Sequence, residues 1–89
     1  MRRVFATPRF QKRLATFLSR HPDLSAAVDE VMVLIQQNPA SPSLRTHALK
    51  GAFAGCCACR LSRDYRIVFV LEPDGVIFID VDTHYDVYR

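Results

Sequence analysis

The chain has 89 residues, 49% hydrophobic and 24% charged, with a net charge of +3 and a pI near 9.0. That length predicts one small domain over residues 1–89 around a single core, and that balance belongs to a globular protein rather than a disordered one. No apolar run reaches the eighteen residues of a membrane span, and Met1-Arg2-Arg3-Val4-Phe5 precedes no apolar stretch of signal-peptide length, so a membrane role and export are not expected and the cytoplasm is the default.

In chain order, Arg2 to Ala6 reads as a short strand. Thr7-Pro8 is a helix start, with Thr7 able to cap and Pro8 suited to the first turn. Phe10, Leu14, Phe17 and Leu18 follow at i, i+4, i+7 and i+8, the apolar stripe of a helix. His21-Pro22 ends it, because proline disfavours helical geometry in the residue before it. A second helix follows, with Asp23 or Ser25 as cap, a stripe of Leu24, Val28, Val31, Met32 and Ile35, and Asn38-Pro39 as its stop. So short a connection predicts an antiparallel helical hairpin.

Residues 39–45, with two prolines and two serines, form a loop. The rest is strand-like: residues 46–51, 56–62, 65–72 and 76–83, the last two joined by Glu72-Pro73-Asp74-Gly75, where glycine is available for a positive φ. The order β-α-α-β-β-β-β predicts an α+β fold, with a helical hairpin on one face of a mostly antiparallel sheet. The other face is left for something else. Cys56, Cys57 and Cys59 fall in one strand without a second ligand cluster, so they are read as small buried hydrophobes rather than as a metal or redox site.

Polar residues interrupt the apolar strands of the C-terminal half: His47, Lys50, Arg60, Asp64, Arg66, Asp80, Asp82, His84 and Tyr88. The plain alternative is the solvated side of a one-faced sheet. Chemically, two imidazoles can exchange protons near neutral pH, and Lys50, Arg60 and Arg66 offer positive charge to a phosphate. Asp64 can act as a base or orient a histidine. Tyr65 and Tyr88 present flat rings for bases, although packing is the better reading for Tyr65. RNA cleavage without a metal needs these parts: a base for the 2′-hydroxyl, cations for the phosphorane and an acid for the leaving 5′-oxygen. His84 and Tyr88 share a side whether the tail is extended or helical. Strict strand alternation would put His47 and Lys50 on opposite faces unless Gly51 or a bulge intervenes. His21, at a helix end, is not counted in the site.

Three segments in this order resemble the RelE/ParE toxin superfamily, and its YafQ-like branch most closely. They are His47-Ala48-Leu49-Lys50-Gly51, Cys59-Arg60-Leu61-Ser62-Arg63-Asp64-Tyr65-Arg66, and Asp82-Thr83-His84-Tyr85-Asp86-Val87-Tyr88. The resemblance covers essentially the whole chain. It implies the toxin of a type II toxin–antitoxin system: a metal-independent, ribosome-dependent mRNA endonuclease without a cofactor. The implied partners are a cognate antitoxin protein, mRNA in the ribosomal A site and ribosomal RNA.

Carried over by motif, the catalytic set is His47, Arg60, Asp64, His84 and Tyr88, with Lys50 and Arg66 binding substrate. The chain departs from the YafQ-like pattern at Arg60, where that branch has a second histidine, and at Tyr88, where phenylalanine is frequent. Two other readings stand beside this one. A ParE-like DNA gyrase inhibitor shares the fold but does not need the His47, Asp64 and His84 set, and an inactive chain would serve only to bind its antitoxin.

Overall fold

The computed structural model describes residues 2–88, with only the backbone described for the last of them. Eight elements follow in order: β1 (Arg3–Ala6), α1 (Pro8–Arg20), α2 (Ser25–Gln37), β2 (His47–Ala48), β3 (Cys57–Arg60), β4 (Tyr65–Glu72), β5 (Gly75–Thr83) and α3 (His84–Tyr88). Short 3₁₀ turns at Pro22–Leu24, Pro42–Leu44 and Gly51–Phe53 tighten the connections.

The helical hairpin forms where the apolar periodicity places it. Thr7 caps α1 by accepting the amide of Phe10 at 3.1 Å, and its hydroxyl donates to the Phe78 carbonyl at 3.0 Å, so one side chain both starts the helix and ties it to β5. Phe10 and Phe17 are buried, and Leu14 and Leu18 pack beside them. The cap expected for α2 is different. Neither Asp23 nor Ser25 caps it by side chain; Leu24 is the first flanking residue, and the 3₁₀ turn lets the Leu24 amide bond the His21 carbonyl at 3.0 Å. Proline at the start of that turn makes a backbone solution available without a capping side chain.

The sheet order is β1-β5-β4-β3-β2; β1 runs parallel to β5 and every other pair is antiparallel. A helical hairpin on a mostly antiparallel sheet is the α+β architecture the sequence predicts. Phe69 pairs with Phe78 and Val68 with Asp80, so β5 holds one extra residue, Ile79, at a bulge. The positive φ expected at Gly75 is not there; among the described residues the glycines with positive φ are Gly51 (66°) and Gly55 (88°). Gly75 answers a different need. A Cβ there would stand 3.1 Å from the Arg3 carbonyl oxygen, so its lack of a side chain lets β1 close on β5.

Two apolar clusters sandwich the sheet. Phe10, Phe17, Val28 and Ile35 of the helices meet Cys59, Ile67, Phe69, Val76, Phe78 and Val81 on one face. On the opposite face Leu49, Ala58, Val68 and Val87 form a second, smaller cluster, with Phe53, Cys56 and Ile79 against it. The face that the strand pattern leaves open is therefore partly covered by the chain's own C-terminal helix.

Candidate functional site

Strand register decides which polar side chains share a face, because residues directly opposite in an antiparallel pair project to the same side. Arg60 lies opposite Arg66, and His47 lies opposite Ala58. Ala58 and Val68 belong to the small cluster away from the helical hairpin, so the alternation along β3 and β4 carries Arg60 and Arg66 to that face as well. His47, on the short edge strand, joins them. The two-residue β2 ends at Ala48, but the Leu49 amide still bonds the Cys56 carbonyl at 2.9 Å, Leu49 is buried in the small cluster, and Lys50 is extended, so the chain turns only at Gly51 with φ 66°. The alternation that separates His47 from Lys50 therefore persists up to the turn, and both side chains are exposed.

Asp64 and His84 are brought together by backbone. The His84 amide donates to the Asp64 carbonyl at 2.8 Å, sewing the β3–β4 loop to the first residue of α3. Two further contacts hold this corner. Thr83 accepts the Asp86 amide at 3.1 Å and donates its hydroxyl to the Asp86 carboxylate at 3.0 Å, a reciprocal cap that starts α3. Arg66 Nη1 donates to the carbonyls of Ser62 (2.7 Å), Tyr65 (2.9 Å) and Arg63 (3.3 Å), folding the loop around its guanidinium. Arg66, expected only to bind substrate, thus also supports the loop that carries Asp64. Since α3 is helical, His84 and Tyr88 fall on one face of a turn; the side chain of Tyr88, included in the expected catalytic set, lies outside the described residues. His84, Asp64, His47 and Lys50 are exposed, whereas Arg60 and Arg66 are half-buried.

Asp80 has a different job from the one its place in the polar set suggests. It is fully buried on the helical side and accepts Arg9 Nη2 at 3.0 Å and Arg13 Nε at 2.9 Å. Arg13 also reaches Asp82 at 2.8 Å. Burial disfavours the Arg13 charge, but the carboxylates of Asp80 and Asp82 more than offset this and raise its pKa. Tyr65 packs, as its sequence context predicts: its ring meets Phe17 edge-on at 4.9 Å and its hydroxyl lies 3.1 Å from His21 Nε2.

The cysteines behave as packing groups. Burial pushes the Cys59 thiol up to about 12; burial and then the neighbouring Cys57 raise that of Cys56. A raised thiol pKa keeps the reactive thiolate scarce. Among the described residues, no group of three or more His, Cys, Asp and Glu side chains could hold a metal ion.

A broad cleft of about 760 Å³ lies not over this corner but along α1, between Arg9, Lys12, Arg13 and Arg20 and the Tyr65–Thr83 end of the sheet. The sequence reading missed it. Its cations were visible as the polar faces of α1, but nothing in the sequence says what faces a solvated helix stripe.

Known proteins share this fold. A family described as the bacterial toxin of type II toxin–antitoxin systems, YafQ, matches residues 2–89. No curated protein matches by sequence. Among solved structures, a copper-bound point mutant of a toxin from Helicobacter pylori is 25% identical, with a TM-score of 0.81 over 99% of this chain and 100% of that one. YafQ in the Escherichia coli DinJ–YafQ complex is 19% identical, with a TM-score of 0.81 over the whole of both chains. A chain of the Staphylococcus aureus YoeB–YefM complex shares the fold at 16% identity, with a TM-score of 0.74 over 96% of this chain and 99% of that one. With its fold, its strand order and nearly its whole length matched, the chain belongs to the YafQ family of bacterial type II toxins.

Proposed function

We propose that the chain is a metal-independent endoribonuclease that cuts mRNA on the ribosome and is neutralised by a cognate antitoxin. The carrying observation is the Asp64–His84 backbone bond, which brings the main chain of an aspartate and a histidine together at the sheet end where Arg60 and Arg66 face each other. In the reaction, a base removes the proton of the 2′-hydroxyl and its oxygen attacks phosphorus. The bond to the 5′-oxygen breaks, and an acid protonates that oxygen. A 2′,3′-cyclic phosphate and a 5′-hydroxyl result.

His84, oriented with Asp64, takes one of the two proton roles and His47 the other. Arg60 and Lys50 hold the scissile phosphate and meet the charge that builds on it, with Arg66 assisting beside Arg60. Tyr88, on the same turn as His84, orients a base. A fixed cation pair and a proton donor and acceptor supply what a metal would otherwise supply. The exposed placement of His47, Lys50, Asp64 and His84 suits an RNA presented by a larger particle rather than one enclosed by this small chain. Membership of the toxin family and the DinJ and YefM partners of its structural neighbours support the antitoxin as partner.

The test is cleavage of a defined mRNA with and without ribosomes. Cuts confined to ribosome-bound message, unchanged by a chelator, are expected. Equal cutting of naked RNA would remove the ribosome requirement, and inhibition by the chelator would remove the metal-free mechanism. DNA damage with intact mRNA in expressing cells would replace the nuclease with a gyrase inhibitor.

A further inference from the structure

Helix α1 carries four cations, Arg9, Lys12, Arg13 and Arg20, and no acidic residue. Arg9, Arg13 and Arg20 recur at i, i+4 and i+11, close to one line along the helix and spanning roughly 16 Å at 1.5 Å per residue. This line is one wall of the 760 Å³ cleft. Asp80 and Asp82 hold Arg9 and Arg13 in place from behind, yet the two side chains remain 62% and 42% exposed. Lys12 and Arg20 make no ion pair among the described residues. The cleft therefore presents pre-positioned cations along its length. Its far end is different: Phe17, His21 and Tyr65 pack ring against ring, with centroids 4.8–4.9 Å apart.

We propose that this cleft receives an acidic peptide segment of a partner protein, with its carboxylates along α1 and an apolar side chain against the Phe17–Tyr65 end. Charge complementarity selects an anion, and two observations favour peptide over RNA. The cations facing the proposed scissile phosphate, Arg60 and Arg66, rise from the opposite face of the sheet. The carboxylate of Asp82 also lines the cleft, where a phosphate chain would have to carry charge past it and a peptide could place a neutral residue. Only this choice rests on the catalytic reading. Tyr65 and Thr83, at the cleft's end, directly adjoin Asp64 and His84 in the chain, so an occupant would reach the edge of the proposed site.

The experiment uses the full chain and its Lys12→Glu/Arg20→Glu variant, both positions being exposed. The probes are a fluorescent glutamate-rich decapeptide containing one leucine and an uncleavable 2′-O-methyl RNA decamer. The parent should bind the peptide, more weakly as salt rises. The variant should lose at least tenfold in peptide affinity while RNA binding and ribosomal mRNA cleavage stay within twofold. No peptide binding by the parent, or unchanged peptide binding by the variant, would overturn the proposal. Loss of RNA binding and cleavage, with or without the peptide, would assign the cleft to RNA and overturn it too. A parent that binds the peptide in this charge-dependent way but cuts no mRNA would sink the catalytic reading and leave the docking site standing.

Discussion

His84 and Arg60 carry the sharpest expectations, because backbone pairing fixes the position of each in the chain. The His84 amide bonds the Asp64 carbonyl, and the side chain is exposed. His84→Ala should therefore leave the melting temperature within a degree or two. Loss of one proton-transfer partner should slow mRNA cleavage about 10²–10⁴-fold. Single-turnover cleavage on ribosomes checks this; parental rates in the variant would remove His84 from the site. In the proposed reaction Arg60 meets the developing charge, so Arg60→Ala should lower kcat by about 10²–10³ with a smaller effect on KM. A pure KM effect would make Arg60 a binding group only. Cys59 gives a prediction in the other direction. The unfolded thiol ionises near its ordinary value of about 8.5, whereas the folded one is held up to about 12 by burial. Over that interval the folded chain keeps a proton the unfolded chain has lost. Its contribution to stability is intact below the lower value and is lost as pH rises towards the upper one. Denaturant melts between pH 8 and pH 11 should show that alkaline loss, and Cys59→Ala should flatten it.

At the scale of elements, α3 is five residues long and cannot be stable by itself. It persists because Thr83 caps it, the Asp64 carbonyl receives its first amide and Val87 is buried against Leu49, Ala58 and Val68. Thr83→Ala should cost about 1 kcal/mol of stability. Because that cap also sets where His84 begins its turn, cleavage should fall further than stability alone explains. Measuring both on one preparation separates the effects, and an unchanged cleavage rate would show that α3 needs no cap to place His84. The same elements explain what was legible beforehand. The stripes of α1 and α2 and the limits of β4 follow from periodicity alone, since each has enough residues to average over. The sequence predicts one strand over residues 46–51, but β2 holds only His47 and Ala48, and a 3₁₀ turn begins at Gly51. The α2 cap was misplaced because local polar residues signal a cap equally well whether or not the backbone uses them.

Across the whole molecule, the sheet separates two charged surfaces. Arg60, Arg66 and His47 face away from the hairpin, while the four cations of α1 face the cleft. Asp80 stands between them, buried, as the anion that fixes two of the α1 arginines. Asp80→Asn keeps the shape and removes the charge. It should destabilise the fold by about 1.5–3 kcal/mol, the range for hydrogen bonds to charged groups, because the partner arginines can rehydrate. Chemical denaturation checks the figure; a neutral result would mean the arginines hold their places without the ion pair.

By itself the sequence determined the helical hairpin, the order of strands, the family likeness and the residue types available for RNA chemistry. Those are properties of periodicity and local spacing, which short-range physics enforces. Only the tertiary structure decided which of the polar residues keep company. The bulge at Ile79 sends Asp80 into the helical side, while register sets Arg60 beside Arg66 and a single amide joins His84 to Asp64. Such pairings depend on how strands meet in register, and the periodicity of each segment taken alone does not encode that.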